Sequence, residues 1–390
     1  MKKSLIFISV FIMLGVIACN LMMGNNLQVF AEEFENLSAR SYIVIDDNKN
    51  ILIEKNADDK KEVASICKLM TTLITLEQIE NGNLSLDDKL YTSIKASEAE
   101  GSQAFLDAGS EYSVRDLLKS VIVASANDSA IVLAEGIAGN EDAFVKIMNE
   151  KAKSLGMHNT RYANSTGLPA FEQYSTAKDT AIILKEVSKY DIYKEDCNIW
   201  MDKLIHPSGR ITELVNTNRL IKYYDYCKTG KTGYTDEAGY CLSSTATKGD
   251  LNLTCVVLGC NTSADRFTES MKLYNYAFAN FINEKIFTAG QKIDNYIKVK
   301  NATTDRVKLV IKDDYSLLQN RMSKKEYSIN IELPDTLKAP MSKGDVVGNA
   351  DIVVDNIVVG KVDIVLDEDL TKQTYSDIFD KILDKFEIFS

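Results

Sequence analysis

The run Tyr240-Cys241-Leu242-Ser243-Ser244-Thr245-Ala246-Thr247, the turn Lys248-Gly249-Asp250 and the run Asn252-Leu253-Thr254-Cys255-Val256-Val257-Leu258 decide the fold class of this chain. Both runs are rich in β-branched and apolar residues, and the glycine between them supplies a tight reversal, so they read as antiparallel strands. The same signature recurs upstream, where Ser41 to Ile45 and Ile51 to Lys55 flank Asp47-Asn48-Lys49-Asn50. Between the two hairpins the pattern is helical. One helix begins near Ala64 and continues through Leu69, Met70, Leu73, Ile74 and Leu76. Ser113 and Asp116 stand three apart, like a capping box with the shorter acid, ahead of the apolar run Leu117 to Val123. Ala130 to Ala134 reads as a further buried helix, set off by the polar break Ser125-Ala126-Asn127-Asp128. Helices, a mixed sheet and a helical insertion predict an α+β catalytic domain over residues 32–285, its pattern ending near Asn283.

Beyond Ile286 the texture changes. Val307-Lys308-Leu309, Tyr327 to Leu333 and Val362-Asp363-Ile364 alternate apolar with polar residues, the period of half-buried strands. Turn residues at Pro334-Asp335 and Lys343-Gly344-Asp345 punctuate them. This predicts a small all-β C-terminal domain, residues 290–370, with no cluster that suggests chemistry. Residues 371–390 end the chain as an amphipathic helix: Tyr375, Ile378, Phe379, Ile382, Leu383, Phe386 and Phe389 repeat at helical spacing. Such a stripe suits the headgroup boundary of a membrane. The polar face is acidic, so attachment would come from apolar burial and be insensitive to salt.

A chain of 390 residues is expected to hold about two domains. Its 45% apolar and 26% charged residues are ordinary for a globular protein and exclude disorder as the main state. The formal charge of −11 is the wrong sign for a protein that neutralises phosphates, so nucleic acid is not an expected partner. Neither His158 nor His206 lies in a zinc-binding pattern.

Lys2-Lys3 followed by the apolar run Leu5 to Ala18 reads as the start of a secretory signal, too short to span a membrane comfortably. Val29-Phe30-Ala31 offers a cleavage site after a polar stretch, which makes residues 1–31 the signal peptide. Val16-Ile17-Ala18-Cys19 competes as a lipobox with Cys19 as the lipidated residue. Cleavage at Ala31 removes two lysines and no acid, moving the formal charge from −11 to −13. It also leaves six of the seven cysteines. They are scattered, none in a Cys-x-x-Cys pair, and are expected as buried free thiols.

Three short motifs follow one another: Ser65-Ile66-Cys67-Lys68, Ser125-Ala126-Asn127 and Lys231-Thr232-Gly233. Ser65 and Lys68 share a helix face, so their side chains can touch. If Ser65 opens the helix, its N–H is an unpaired donor at the positive end of the dipole, suited to an oxyanion. Dipole and desolvation together would depress the Lys68 pKa and let a neutral amine take the Ser65 proton. Lys68 is expected at an exposed end of a helix turn. Singly each motif is weak. Ser-x-x-Lys arises by chance about once in such a chain, and Ser175-Thr176-Ala177-Lys178 is a second copy. Gly230-Lys231-Thr232 mimics the end of a phosphate loop but has Asp225 where that loop needs glycine. The ordered set is far more specific than its parts.

With these motifs the sequence resembles the penicillin-recognising serine acyltransferases, and most closely the serine-type D-Ala-D-Ala carboxypeptidases, low-molecular-mass penicillin-binding proteins. The likeness extends over Ser125 to Ala130, Leu155-Gly156-Met157, Gly167-Leu168-Pro169, Tyr174 to Ala177, Asn216 to Leu220 and Lys231 to Cys241. It implies a β-lactamase/transpeptidase-like catalytic domain plus a β-rich C-terminal domain, often with a terminal amphipathic anchor. It implies Ser65 as nucleophile, Lys68 as base, Ser125 as proton relay and Asn127 as a substrate-orienting group. Lys231, Thr232 and Gly233 would bind the terminal carboxylate, helped by Arg266, and the N–H groups of Ser65 and Tyr234 would form the oxyanion hole. Ser175 and Lys178 fall in a structural stretch of the pattern. Implied partners are peptidoglycan stem peptides ending in D-Ala-D-Ala, with β-lactams as inhibitors and no metal or cofactor. The implied location is the outer face of the membrane or the cell wall.

One departure is the tandem Lys228-Thr229-Gly230-Lys231-Thr232-Gly233, where the family usually has one motif. Side chains of a strand alternate, so Lys228 and Lys231 face opposite ways, and Tyr234-Thr235 makes Lys231 the match. The Glu-x-x-Leu-Asn pattern that supplies a deacylating glutamate in class A β-lactamases is absent. Transpeptidation stays open, because the choice of water or amine as acceptor depends on cleft shape. A wall-binding or penicillin-sensing module without turnover is disfavoured by the three intact motifs.

Overall fold

The computed structural model describes residues 34, 36–295, 297–304, 306–377 and 379. The expected export segment and most of the expected terminal helix lie outside them. Contacts divide the chain into two units, one containing residues up to 247 and 252–275, the other 248–251 and 276 onward.

The first unit is built on a five-stranded sheet. Its strands are β1 (Ser41–Asp46), β2 (Ile51–Lys55), β3 (Cys227–Thr235), β4 (Gly239–Lys248) and β5 (Leu251–Cys260), in the order β2-β1-β5-β4-β3. Both predicted hairpins are present, and β1 from one pairs antiparallel with β5 from the other, Ser41 opposite Leu258 and Ile45 opposite Thr254. Burying β1 on both sides of its pleat explains why all six of its residues are inaccessible.

A 3₁₀ turn, Ala64–Cys67, leads into α1 (Lys68–Glu80), as the spacing predicts. Every residue of α1 from Lys68 to Leu76 is buried. A helix apolar on one side alone would not be; this one is enclosed, and Thr71 and Thr75 satisfy their hydroxyls on the Ser165 and Thr71 carbonyls. Met70, Leu73 and Ile74 join Ile43, Val256, Ala181 and Leu184 in one core, the last two from α5 (Ala177–Val187).

Ser113 caps α2 (Val114–Val123): its Oγ accepts from the Asp116 N–H at 3.1 Å, while the acid receives the serine hydroxyl rather than reaching back to the backbone. The polar break after α2 is shorter than predicted. Asn127 and Asp128 already belong to α3 (Asn127–Ala138), because an acid and an amide are favoured in a first turn whose N–H groups are unpaired. Helix α4 (Glu141–Ser154) follows, and α6 (Asp265–Asn280) comes after the sheet.

The second unit contains a five-stranded sheet of β6 (Lys292–Ile293), β7 (Leu309–Ile311), β8 (Tyr327–Glu332), β9 (Val346–Val354) and β10 (Ile357–Leu366), ordered β6-β7-β10-β9-β8. Its core includes Leu309, Ile311, Ala350, Ile352, Val362 and Ile364. One expectation fails: Tyr327 to Glu332 form a strand, but all six residues are exposed instead of alternating. The strand lies at the sheet edge, where Tyr327, Ile329 and Ile331 are only partly covered. The six described cysteines are free and buried, as their scatter suggests.

Candidate active site

Ser65 sits in the 3₁₀ turn directly after Ala64, whose φ of +48° is a left-handed conformation that strains a non-glycine residue. The turn therefore presents the serine at the helix opening, beside a cleft of about 410 Å³ lined by Ser65, Ser125, Asn127, Thr217, Thr232 and Arg266, among others.

Lys68, one turn on, donates from Nζ to Ser65 Oγ at 2.8 Å and to the Thr166 carbonyl at 2.6 Å. It is wholly buried, contrary to the exposed position expected from the sequence, since the sheet and the Ser165–Gly167 loop close over the helix start. Burial pulls its pKa down to about 7, against the opposing influence of Cys67 and Asp128. Desolvation outweighs both and leaves a substantial share of the amine neutral near neutral pH.

Ser125 has φ +61°, which breaks the backbone between α2 and α3 and turns its hydroxyl into the cleft. Its Oγ accepts from Lys231 Nζ at 2.6 Å. Lys231 also donates to the Thr232 carbonyl at 3.0 Å and is buried, whereas Lys228 is exposed. A bulge between Cys227 and Thr229 adds to the alternation that separates the two lysines. Burial lowers the Lys231 pKa well below its ordinary value, and the neighbouring Lys68 and Arg266 charges lower it further. Two amines in one dry site resist being charged together; an incoming carboxylate reverses that balance.

Asn127 donates through Nδ2 to the Glu100 carbonyl at 2.5 Å and through its own N–H to Ser102. Its Oδ1 is buried without a partner, an acceptor held ready for a donor. Thr232 donates to Thr217 Oγ at 2.7 Å. Gly233 lies against the Ser65 turn: a Cβ there would stand 2.5 Å from the Val63 carbonyl, so only glycine lets β3 approach. The Gly233 carbonyl receives Arg266 Nη1 at 3.1 Å, which fixes the guanidinium at the cleft wall. The Tyr234 side chain is exposed and stacked on Tyr240, ring centroids 4.2 Å apart. The residue lines the cleft.

Seven of the nine sequence-chosen residues thus line one cleft, and Lys68 and Lys231 stand behind it on Ser65 and Ser125. The rival copy does not: Ser175 is buried on Thr160 and Thr180, while Lys178 points outward to Asp58. His206 is buried elsewhere, between Tyr112 and Thr212. A larger cavity of about 690 Å³ near Lys228 includes Lys185, Lys189 and Lys194 but none of these groups. Those three lysines are matched by Asp47, Glu186 and Asp191.

Sequence reasoning gave no role to Thr166, Thr217 or Gly167. Thr166 contributes a backbone carbonyl, which no side-chain pattern reveals. Gly167 was visible within the Gly167-Leu168-Pro169 stretch; it has φ +83°, and a Cβ would fall 2.0 Å from the Ala64 carbonyl. Gly167→Ala is expected to destabilise the protein by roughly 1–3 kcal/mol and to slow acylation, because the loop holding Lys68 must retreat. Thermal unfolding and penicillin-uptake rates check it; an unchanged melting temperature contradicts it.

Comparison with known proteins agrees with the geometry. The D-alanyl-D-alanine carboxypeptidase family matches residues 28–262, and the C-terminal domain of penicillin-binding protein 5 matches residues 281–372. The D-alanyl-D-alanine carboxypeptidase DacF of Bacillus subtilis (strain 168) is 35% identical over 336 residues, 86% of each chain. Penicillin-binding protein 5 from Haemophilus influenzae superposes with TM-score 0.72 at 30% identity, over 86% of this chain and 98% of that one. A mutant of the Streptomyces K15 DD-transpeptidase gives TM-score 0.58 at 29% identity, over 63% of this chain and 99% of that one. A serine at a helix opening beside a buried lysine of lowered pKa, together with family matches over residues 28–262 and 281–372, leads to one conclusion: the chain belongs to the D-alanyl-D-alanine carboxypeptidase family of penicillin-binding proteins.

Proposed function

We propose that this carboxypeptidase removes the terminal D-alanine of peptidoglycan stem peptides through an acyl-enzyme on Ser65. The observation that carries the proposal is the 2.8 Å contact between Ser65 Oγ and the buried Lys68 amine. Lys68 takes the hydroxyl proton as Ser65 Oγ attacks the carbonyl carbon between the two D-alanines. The backbone N–H groups of Ser65 and Tyr234 receive the oxyanion. As the C–N bond breaks, Ser125 Oγ gives its proton to the leaving amine and takes up the one that Lys68 holds, which leaves Lys68 neutral again. Lys231, Thr232 and Arg266 hold the departing carboxylate, and Asn127 orients the peptide. Water then attacks the ester, its proton passing to the neutral Lys68 amine, which hands it to Ser65 Oγ as the C–O bond breaks, and Ser65 is restored.

The test is incubation with a peptide ending in D-Ala-D-Ala. Release of D-alanine is expected, with penicillin recovered by mass spectrometry on the peptide containing Ser65. Label on Ser175 would remove the assignment. The likeness to a DD-transpeptidase keeps amine acceptors in view, and adding a D-amino acid to the same assay separates transfer from hydrolysis. No Asp or Glu lines the cleft, which speaks against a β-lactamase that deacylates through a carboxylate.

We further propose export through residues 1–31 and attachment to the outer membrane face through residues 375–390. The segment is amphipathic, with charged residues opposite its apolar stripe, so attachment would be interfacial; among the described residues no helix is long and apolar enough to cross a membrane. Thr374 and Asp377 exchange hydrogen bonds as a capping pair at the start of the segment, and Tyr375 and Phe379 are exposed. Deleting residues 375–390 is expected to move the cleaved protein from the membrane to the soluble fraction. Equal association of both forms, with Cys19 shown unlipidated, would refute this.

A further inference from the structure

We propose that the cavity of about 690 Å³ beside the first half of the tandem motif is a binding site for a small phosphate ester. It opens where the C-terminal end of α5 meets the start of β3, and it shares no lining residue with the catalytic cleft. The catalytic reading uses Lys231-Thr232-Gly233 and leaves Lys228-Thr229 without a role. The bulge in β3 gives that pair one. Cys227 and Thr229 oppose Ala246 and Thr245, successive residues of β4, so Lys228 is the extra residue. Plain alternation would send Lys228 and Thr229 to opposite faces, yet both line this cavity.

The cavity is cationic in an acidic chain. Lys185, Lys189, Lys194 and Lys228 line it with one acid, Asp47, which makes three net positive charges in a protein of formal charge −11. Among the described residues no acid stands within ion-pair distance of the exposed Lys228. Lys189 and Lys194 meet Glu186 and Asp191, exposed pairs that cost little to exchange, and neither acid lines the cavity. Lys185 donates to the Asp47 carbonyl, and the Asp47 carboxylate stands 4.0 Å off while accepting from Asn252 Nδ2 at 2.7 Å. Burial lowers the Lys185 pKa, so an anion beside it would restore solvation that the fold has removed.

A chain of hydroxyls completes the lining. Ser188 Oγ, Thr229 Oγ1 and Thr245 Oγ1 are linked at 2.8 and 2.6 Å. Three hydroxyl protons serve two links, which leaves one O–H to donate outside the chain. Thr229, at its centre, is 1% exposed. Four ammonium groups with no arginine suit a phosphate, whose tetrahedral oxygens accept from point charges on several sides; a planar carboxylate is matched better by the arginine fork. The volume falls within the about 300–1,000 Å³ of small-molecule sites, more than a bare phosphate fills. Ala246 and Leu253, both buried, offer an apolar wall to a short carbon body.

The experiment is calorimetric titration of the mature full-length protein with glycerol 3-phosphate, with inorganic phosphate and D-lactate as controls. One glycerol 3-phosphate is expected per chain, bound more tightly than either control and more weakly as salt rises. Binding should persist after penicillin has acylated Ser65, which separates this site from the cleft. The double variant Lys194→Gln, Lys228→Gln should bind at least about tenfold more weakly, since two charge-assisted contacts are removed. Both lysines are exposed, so its melting temperature should be unchanged. Sedimentation with phosphatidylglycerol vesicles separates the sources of the ester: association lost in the double variant places it on a lipid headgroup, and equal association places it on a soluble or polymer-borne ester. An affinity for glycerol 3-phosphate no greater than for D-lactate or inorganic phosphate overturns the proposal. So does binding that acylation abolishes or that the double variant retains in full.

Discussion

Lys68→Met is expected to lower the rate of penicillin acylation and of D-alanine release by at least ~10²- to 10⁴-fold, the range for a positioned general base. Methionine is the test because Lys68 is fully buried, and alanine would leave a void as well as remove the amine. In the unmodified enzyme the base must be neutral. With a pKa of about 7, acylation should fall tenfold per pH unit below that value and level off above it. Stability carries the same signature with its own sign. The folded pKa lies below the ordinary 10.5, so the unfolded chain binds the proton more tightly between about 7 and 10.5, and stability rises with pH across that window. Lys68→Met should flatten that rise. It should also leave the Thr166 carbonyl without its donor, which offsets part of the relief from burying an amine. Stopped-flow acylation and unfolding at several pH values read both effects. An acylation rate independent of pH between 5 and 8 would exclude Lys68 as the base.

Lys231→Ala is expected to cut kcat/KM for a D-Ala-D-Ala peptide by roughly 10²-fold, since it removes a charge-assisted hydrogen bond and leaves a bound carboxylate poorly paired. Lys228→Ala should change it by less than about twofold, as an exposed surface substitution. The contrast rests on geometry: Lys231 is buried with its Nζ 2.6 Å from Ser125 Oγ, while Lys228 is exposed. The lowered Lys231 pKa adds a pH signature. Carboxylate binding needs the ammonium form, so KM should begin to rise at a pH below that at which an ordinary lysine loses its proton. Substrate binding above that point should be accompanied by proton uptake, measurable by calorimetry in buffers of different ionisation enthalpy. A larger loss from Lys228→Ala would show that the strand register in solution differs.

The sequence by itself determined what depends on local order. Hairpins and helices around Ser41, Ala64, Ser113 and Tyr240 follow from periodicity, turn residues and capping, which act within a few positions along the chain. The motif set was legible for the same reason: Ser65 and Lys68 meet because a helix brings residues three apart together, and Lys231 faces away from Lys228 because a strand alternates. What needed the tertiary structure depends on burial and on distant backbone. The Lys68 pKa near 7 arises because the sheet and the Ser165–Gly167 loop exclude water from its amine. The seating of Lys231 on Ser125 joins positions 106 residues apart. Thr166 acts through a carbonyl, and Thr217 through a hydroxyl set there by the path of another segment. The exposure of Tyr327, Ile329 and Ile331 was equally invisible, because alternation shows which face of a strand is apolar, while only the arrangement of the surrounding chain decides whether that face is covered.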